Sequence, residues 1–389
     1  MKNRTKKIKI KNKKSRKKYI HRKIQIASDK NTEYTHDFFI PHFSQKNKIY
    51  TSYSPTINRE LVTLKTIQRQ KIKDCNNKLA FELKEKLKIG VPGFVYGKSC
   101  FDYNTKEAKA YLLRNLAANK HINPQQIIPP KQIQSNCWFN AMFVTFFVSD
   151  KGRKFFHFFR ELMIKGRQQN GEIIPENLRD AFALLNFGIE ACLTGNKYAY
   201  ELNTNKIIHQ IFLSIPDEYK EKNKYIVDVK NASNPLMYYM SIINYLNNNS
   251  ITILLVNIFT TNWREQISKL LKQYKLHKLP HIIVFQIYDN ESISFLTKPQ
   301  QFKINNVNYK LNSAVVRDKS KQHFCSTITC ENEEMGYDGM SFHRIVPLEW
   351  KNKINDNFTW QFEGSLDNDK KPLEWSFIQG YHMLFYYRV

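Results

Sequence analysis

No run of the 389-residue chain stays apolar for the ~18–20 positions a membrane-spanning helix needs. The longest apolar stretches, around Ile251–Phe259 and Ile282–Ile287, have the length of strands, so no membrane partner is expected. Residues 1–24 contain no acid, and no apolar stretch follows their basic side chains. That pattern is not a secretory signal peptide. The six cysteines, at positions 75, 100, 137, 192, 325 and 330, include no Cys-x-x-Cys pair. Neither a disulfide scaffold nor a zinc knuckle is expected, and an intracellular reducing compartment, cytoplasm or nucleus, fits better. No internal repeat is visible.

What is present is apolar material and positive charge. Hydrophobic residues make up 42% and aromatics 14%, enough for a core, which excludes a wholly disordered chain. The formal net charge is +27, and residues 1–24 alone hold 13 Lys or Arg; the remainder carries +14. A block such as Lys13, Lys14, Arg16, Lys17 and Lys18 repels itself and cannot be buried, so residues 1–24 read as a disordered basic arm. Such an arm can bind nucleic acid through phosphates or dock on an acidic surface; a solvated tail with no specific partner is the competing reading. The abundance of Lys, Asn, Ile, Tyr and Phe also fits an AT-rich genome, which reduces the weight of charge as a functional signal.

The pattern of apolar residues sets the organisation. Helical spacing covers Arg59–Lys88, with a break near Asn76–Asn77, and Lys106–Ala118. Pro129–Pro130 then makes a rigid, extended entry. Further helices are expected over Cys137–Val148, Lys154–Ile164, Pro175–Thr194, Pro235–Leu246 and Asn262–Tyr274. β-branched and aromatic residues then predict strands at Ile251–Val256, His281–Ile287, Tyr309–Val316, His323–Cys330 and Tyr381–Val389. Helices first and strands later is an α+β pattern. The expected division is the basic arm 1–24, a mostly helical region 25–125 and a catalytic-looking domain 126–389.

The segment that carries chemistry is Gln132-Ile133-Gln134-Ser135-Asn136-Cys137-Trp138-Phe139-Asn140. It places a cysteine in the first turn of an apolar helix, with Ser135 or Asn136 as cap. A helix N-terminus favours the thiolate, the form that attacks a carbonyl. The N–H of the same turn can face an oxyanion, and an upstream amide can complete the hole; Gln132 is the candidate, Gln134 the reserve. Taken alone, Cys137 also reads as a small buried hydrophobe, but the polar run set against it is a poor choice for core packing. Among eleven histidines, His323 is the best placed as base, at the start of a strand paired with Tyr309–Val316. His343 and His382 read as structural. Asp338, 15 residues after His323, can be brought beside it by one turn and an adjacent antiparallel strand, and so orient the ring. A turn aspartate before Gly339 is an equal reading; Asp356 and Asn357 are fallbacks.

The chain order Cys, His, Asp resembles that of papain-fold peptidases, and the details are similar to ubiquitin-specific proteases. In that family a polar amide, then Asn-Thr-Cys-Tyr/Trp-x-Asn, opens the catalytic helix; Asn136-Cys137-Trp138-Phe139-Asn140 is similar with one residue fewer. Tyr309-Lys-Leu311 through Val315-Val316, a turn, and Gln322-His323-Phe324 resemble its histidine box. Gly380-Tyr381-His382-Met383-Leu384-Phe385-Tyr386 resembles its closing strand. The combination also resembles cysteine-peptidase-like proteins of large DNA viruses. The flanking glycines of the family's cysteine box are missing, Gln322 replaces the glycine before its histidine, and the four zinc-binding cysteines of its finger insertion are absent.

The resemblance implies a papain-like α+β fold, with a helical part carrying Cys137 followed by an antiparallel sheet carrying His323. It implies hydrolysis of peptide or isopeptide bonds by a cysteine peptidase needing no cofactor. The substrate class would be a ubiquitin-like modifier or a viral polyprotein, the latter extending the expected location to a virion. Two rivals stand beside it. One is acyl transfer to amines, as in transglutaminases, against which the 186-residue interval from Cys137 to His323 argues. The other is a non-catalytic basic nucleic-acid-binding or virion protein on an inactivated peptidase fold.

Overall fold

The last strand of the chain lies in the middle of the main sheet, and that insertion organises the molecule. The computed structural model describes residues 75, 77–91, 99–117, 122–247, 250–258, 262–273, 279–288, 296–321 and 323–389. The basic arm, residues 25–74 and Gln322 lie outside the described residues.

Among the described residues the longer helices are α1 (Lys106–Ala117), α2 (Cys137–Phe147), α3 (His157–Lys165), α4 (Glu176–Leu193), α5 (Thr204–Ser214), α6 (Pro235–Tyr245) and α7 (Trp263–Gln273). The strands are β1 (Lys88–Gly90), β2 (Cys100–Asp102), β3 (Ile253–Ile258), β4 (Ile282–Ile287), β5 (Gln301–Ile304), β6 (Val307–Arg317), β7 (Phe324–Cys330), β8 (Glu333–Tyr337), β9 (Ile345–Pro347), β10 (Thr359–Trp360), β11 (Trp375–Ser376) and β12 (His382–Arg388). The main sheet runs β3-β4-β12-β6-β7-β8-β9, with β5 beside β6. Only β3 and β4 are parallel, and α7 lies between them in the chain, as a parallel crossover requires. All other neighbours in this sheet are antiparallel. The expected α+β arrangement is therefore present, with the cysteine helix first and the histidine strand later.

The sheet is buried on both faces. Met383, Phe385 and Tyr387 of β12 join Val315 and Val284 in a core on the helical side, whereas Leu384 and Tyr386 join Phe285 and Trp263 in a second core on the other. The period-2 pairing of strand side chains thus serves two cores. Helix α2 is mostly apolar and every one of its residues is buried. It packs on β6, β7 and α6, which fixes its N-terminus against the strand that follows His323.

Most expected elements are found within a few residues of their expected bounds. The expected helix Arg59–Lys88 is described only from its break onward, where Lys78–Phe81 forms one turn and Lys88 already belongs to β1. The Asn77 side chain explains the change: Nδ2 donates to the Lys88 carbonyl at 2.8 Å and Oδ1 accepts its N–H at 2.9 Å. The expected helix Lys154–Ile164 is two helices. Ser149 caps Asp150–Phe155 by accepting the Gly152 N–H, and α3 begins after Phe156. One disulfide, Cys75–Cys100, joins segments where no disulfide scaffold is expected. The core is continuous across residue 125: Phe81, Ile89, Tyr111 and Leu116 belong to the same cluster as Phe143 and Phe147.

A charged pair is sealed inside the helical half. Arg160 of α3 and Glu190 of α4 meet at 2.6 Å, each 1% exposed or less, and Asn186 accepts from the guanidinium at 3.1 Å. Removing one partner strands the other charge in a low-dielectric interior. Glu190→Ala is expected to destabilise the fold by about 3–5 kcal/mol in denaturant titration.

Candidate active site

Cys137 is the first residue of α2, and His323 stands directly before β7. Pairing of β7 with β6 begins at Phe324 opposite Arg317, so the ring is presented at the start of the hairpin's second strand. Asp318, fully buried, shapes that hairpin. Its Oδ1 accepts the His323 N–H at 2.5 Å, and Oδ2 accepts the Ser320 N–H at 2.7 Å and the Ser320 hydroxyl. The Asp318 N–H donates to the His323 carbonyl at 2.8 Å, closing the loop from the other side.

Strand β8 pairs with β7 in the register Ser326 opposite Tyr337, which carries the next residue, Asp338, alongside His323. The ring Nε2–H donates to Asp338 Oδ1 at 2.5 Å, and both side chains are buried. The Cys137 side chain is the second group that acts on the ring and favours its charged form. With Nε2 on the carboxylate, Nδ1 is the ring nitrogen left for the sulfur. Burial works to lower the His323 pKa. The Asp338 hydrogen bond and charge, together with the Cys137 contact, outweigh it and raise the value to about 10. The surroundings thus favour the charged form of the ring, the form that transfer of the thiol proton to Nδ1 produces. The edge of Trp375 flanks it, with ring centroids 5.9 Å apart.

Asp338 is itself held. Its Oδ1 also accepts the Met340 N–H at 3.1 Å, its Oδ2 accepts the Ser365 hydroxyl, and its own N–H donates to the Arg344 carbonyl at 2.9 Å. Of the residues singled out in the sequence, His323 and Asp338 are in contact, and Cys137 acts on the same ring. Asp356 is exposed and pairs with Lys353, Asn357 is exposed, and so is His343. His382 is buried on β12 with Nδ1 at 3.0 Å from the Gly380 carbonyl.

The polar run before Cys137 is a scaffold. Asn136 occupies the cap position but its side chain makes no capping bond; Oδ1 accepts the Ile133 N–H and Nδ2 donates to Thr204 Oγ1 at 2.8 Å. Thr204 passes the chain on to Asn140 Oδ1, and Asn140 Nδ2 donates to the Lys131 carbonyl at 3.2 Å. This network ties the start of α2 to the start of α5, a helix that the sequence reading did not include. The spacing of Ile207, Ile208, Ile211 and Ile215 behind Asn203 is the signal that marks it.

Gln132 lies beside the Asp338 turn, where its N–H donates to the Gly339 carbonyl at 2.9 Å. Its Nε2 donates to the Gln134 carbonyl at 3.0 Å, across a backbone in which Gln134 has φ 60°. A carboxamide nitrogen has two N–H bonds, so this contact fixes the amide and leaves one N–H for another acceptor. Gln134 is exposed. Cys192, Cys325 and Cys330, the other free cysteines, are buried. Among the described residues no group of His, Cys, Asp and Glu side chains is arranged to hold a metal ion, and no helix is long and apolar enough to cross a membrane.

No family model matches the chain, and no curated protein matches it. Solved structures similar to it include an essential yeast splicing factor, at 11% identity and TM-score 0.39 over 68% of this chain and 70% of that one. The Ubp8 SAGA DUB module is similar at 12% identity and TM-score 0.40, over 69% of this chain and 70% of that one. The same module bound to ubiquitin aldehyde is similar at 9% identity and TM-score 0.41, over 75% of this chain and 77% of that one. The functional reading rests on the side chains around Cys137, not on these likenesses.

Proposed function

We propose that the chain is a cysteine peptidase that hydrolyses peptide or isopeptide bonds, with Cys137 as nucleophile, His323 as base and acid, and Asp338 as the group that orients the ring. The supporting observation is the single imidazole that meets the Asp338 carboxylate through Nε2 and whose charged form the Cys137 side chain favours. That arrangement selects the useful tautomer. A neutral ring with its proton on Nε2 presents a lone pair on Nδ1 to the sulfur.

The reaction follows from these groups. Nδ1 takes the thiol proton, and the thiolate attacks the carbonyl carbon. Negative charge develops on the carbonyl oxygen, where the Cys137 N–H and the remaining Gln132 Nε2–H are the candidate donors. Each such donor is worth about 3 kcal/mol in kcat. Nδ1–H then protonates the leaving amine, a thioester to Cys137 remains, and water, deprotonated by the same ring, releases the acid. Every step uses side chains of this chain and water. Residues 126–389 are then the catalytic region. A ubiquitin-like protein is the favoured substrate class because the three segments that resemble ubiquitin-specific proteases are the ones that build this site.

The test is turnover of a ubiquitin carboxy-terminal amide, an isopeptide-linked ubiquitin conjugate and short peptide amides by the full chain. Hydrolysis that a thiol alkylator abolishes is the expected result. Hydrolysis untouched by alkylation of Cys137 would reject the proposal.

A further inference from the structure

The segment that leads to Cys137 is held between two parts of the fold, and the part that grips it on one side also carries Asp338. Pro129 and Pro130 have no N–H, so their carbonyls are the polar backbone groups they offer. The Pro130 carbonyl accepts the Tyr337 hydroxyl at 2.7 Å, and the Pro129 carbonyl accepts from the Arg344 guanidinium at 2.9 Å. The Gln132 N–H donates to the Gly339 carbonyl at 2.9 Å. All three partners belong to β8, β9 and their connecting turn, the element that holds Asp338 against His323. On the opposite side, the Lys131 carbonyl accepts from Asn140 at 3.2 Å and the Ile133 carbonyl accepts from Asn205 at 2.6 Å. Gly339 lets the two backbones come this close. A Cβ there would sit 2.9 Å from both the Gln132 nitrogen and the Tyr337 hydroxyl.

We infer that the Tyr337 hydroxyl and the Arg344 guanidinium are positioning residues that hold the Pro129–Gln132 strap against the Asp338 turn and thereby set the contact between Cys137 and His323. This rests on the peptidase reading. One rigid turn gauges both halves of the site: through Asp338 it places the imidazole, and through the strap it places the sulfur. A displacement of about 1 Å at a reacting pair can cost on the order of 10²-fold in rate, so loss of one grip is felt at the sulfur.

The test reads the ion pair without a substrate. Iodoacetamide is reacted with the full chain across pH, and the rate at Cys137 is followed by peptide mapping in wild type, Tyr337→Phe and Arg344→Gln. Thermal melts run in parallel. Wild type is the reference, and rates are compared at about pH 5.5 and about pH 9.5. In each variant the rate at the lower pH is expected to fall about tenfold or more while the rate at the higher pH, where any thiol ionises, is unchanged. A loss of melting temperature alone, with the wild-type pH profile retained in both variants, overturns the positioning role and leaves the peptidase reading standing. A wild-type profile with only the step of an ordinary thiol overturns the peptidase reading and the positioning role together.

Discussion

If Cys137 is the nucleophile as proposed, Cys137→Ala is expected to abolish amide hydrolysis, with a fall in kcat on the order of 10⁴–10⁶-fold. The size follows from the division of labour. The substitution removes the only atom that forms the covalent intermediate, so what survives is binding and any oxyanion donors acting on an attacking water. The substitution is mild for the fold, since Cys137 is at the edge of burial at 9% exposure and begins α2 without a side-chain cap. A melting temperature within a few degrees of wild type, measured on the same preparation, separates loss of chemistry from loss of structure. Turnover retained in this variant would transfer the chemistry to another residue.

Asp338→Asn is expected to lower kcat/KM by about 10²–10⁴-fold and to move its alkaline limb to lower pH. The carboxylate accepts from the His323 ring, the Met340 N–H and the Ser365 hydroxyl. An asparagine can keep its oxygen toward His323 and Met340 and turn its nitrogen to Ser365 Oγ, so the geometry survives and the charge does not. Burial, which lowers the ring pKa, is then opposed by less, and the value drops from about 10 toward the ordinary histidine range. In wild type the charged ring, which the proposed mechanism uses to protonate the leaving amine, is expected to persist until pH rises through about 10. In the variant it is lost earlier. Stability moves with it. A folded-state pKa above the unfolded one contributes stability that is complete below about pH 6.5 and disappears as pH climbs toward about 10. Wild type should therefore lose stability across that alkaline window, and Asp338→Asn should lose less there. The check is a pair of kcat/KM–pH profiles with melts at the same pH values; superimposable alkaline limbs would deny Asp338 its role.

The candidate site was legible because its chemistry leaves marks in one dimension. A cysteine after a polar run and before an apolar helix, a histidine opening a strand and an aspartate one hairpin later need only the α+β order and antiparallel pairing to meet. The β7–β8 register, Ser326 opposite Tyr337, supplies that meeting. The supports were harder to read. Asn136 looks like a helix cap in sequence, yet its side chain is committed to Thr204, 68 residues away, on a helix whose apolar stripe is short. Ser365 reaches Asp338 from a loop 27 residues beyond it, with no local pattern to mark the serine. Strand β8, Glu-Glu-Met-Gly-Tyr, lacks the β-branched run that flags a strand and owes its form to pairing on both sides. Likewise the alternation in β12 marks one buried face, whereas both faces are buried because a second core lies beneath the sheet. Long-range polar partners and second cores are properties of the packed chain, and spacing along the sequence does not encode them.

The covalent intermediate tests the central claim most directly. Wild type and His323→Ala are mixed with an activated amino-acyl ester, quenched in acid within the first turnover, and the acyl group is mapped by peptide mass. A thioester on Cys137 in wild type, absent from His323→Ala, is the predicted result. An acyl group on another residue, or the same yield on Cys137 without His323, would contradict it.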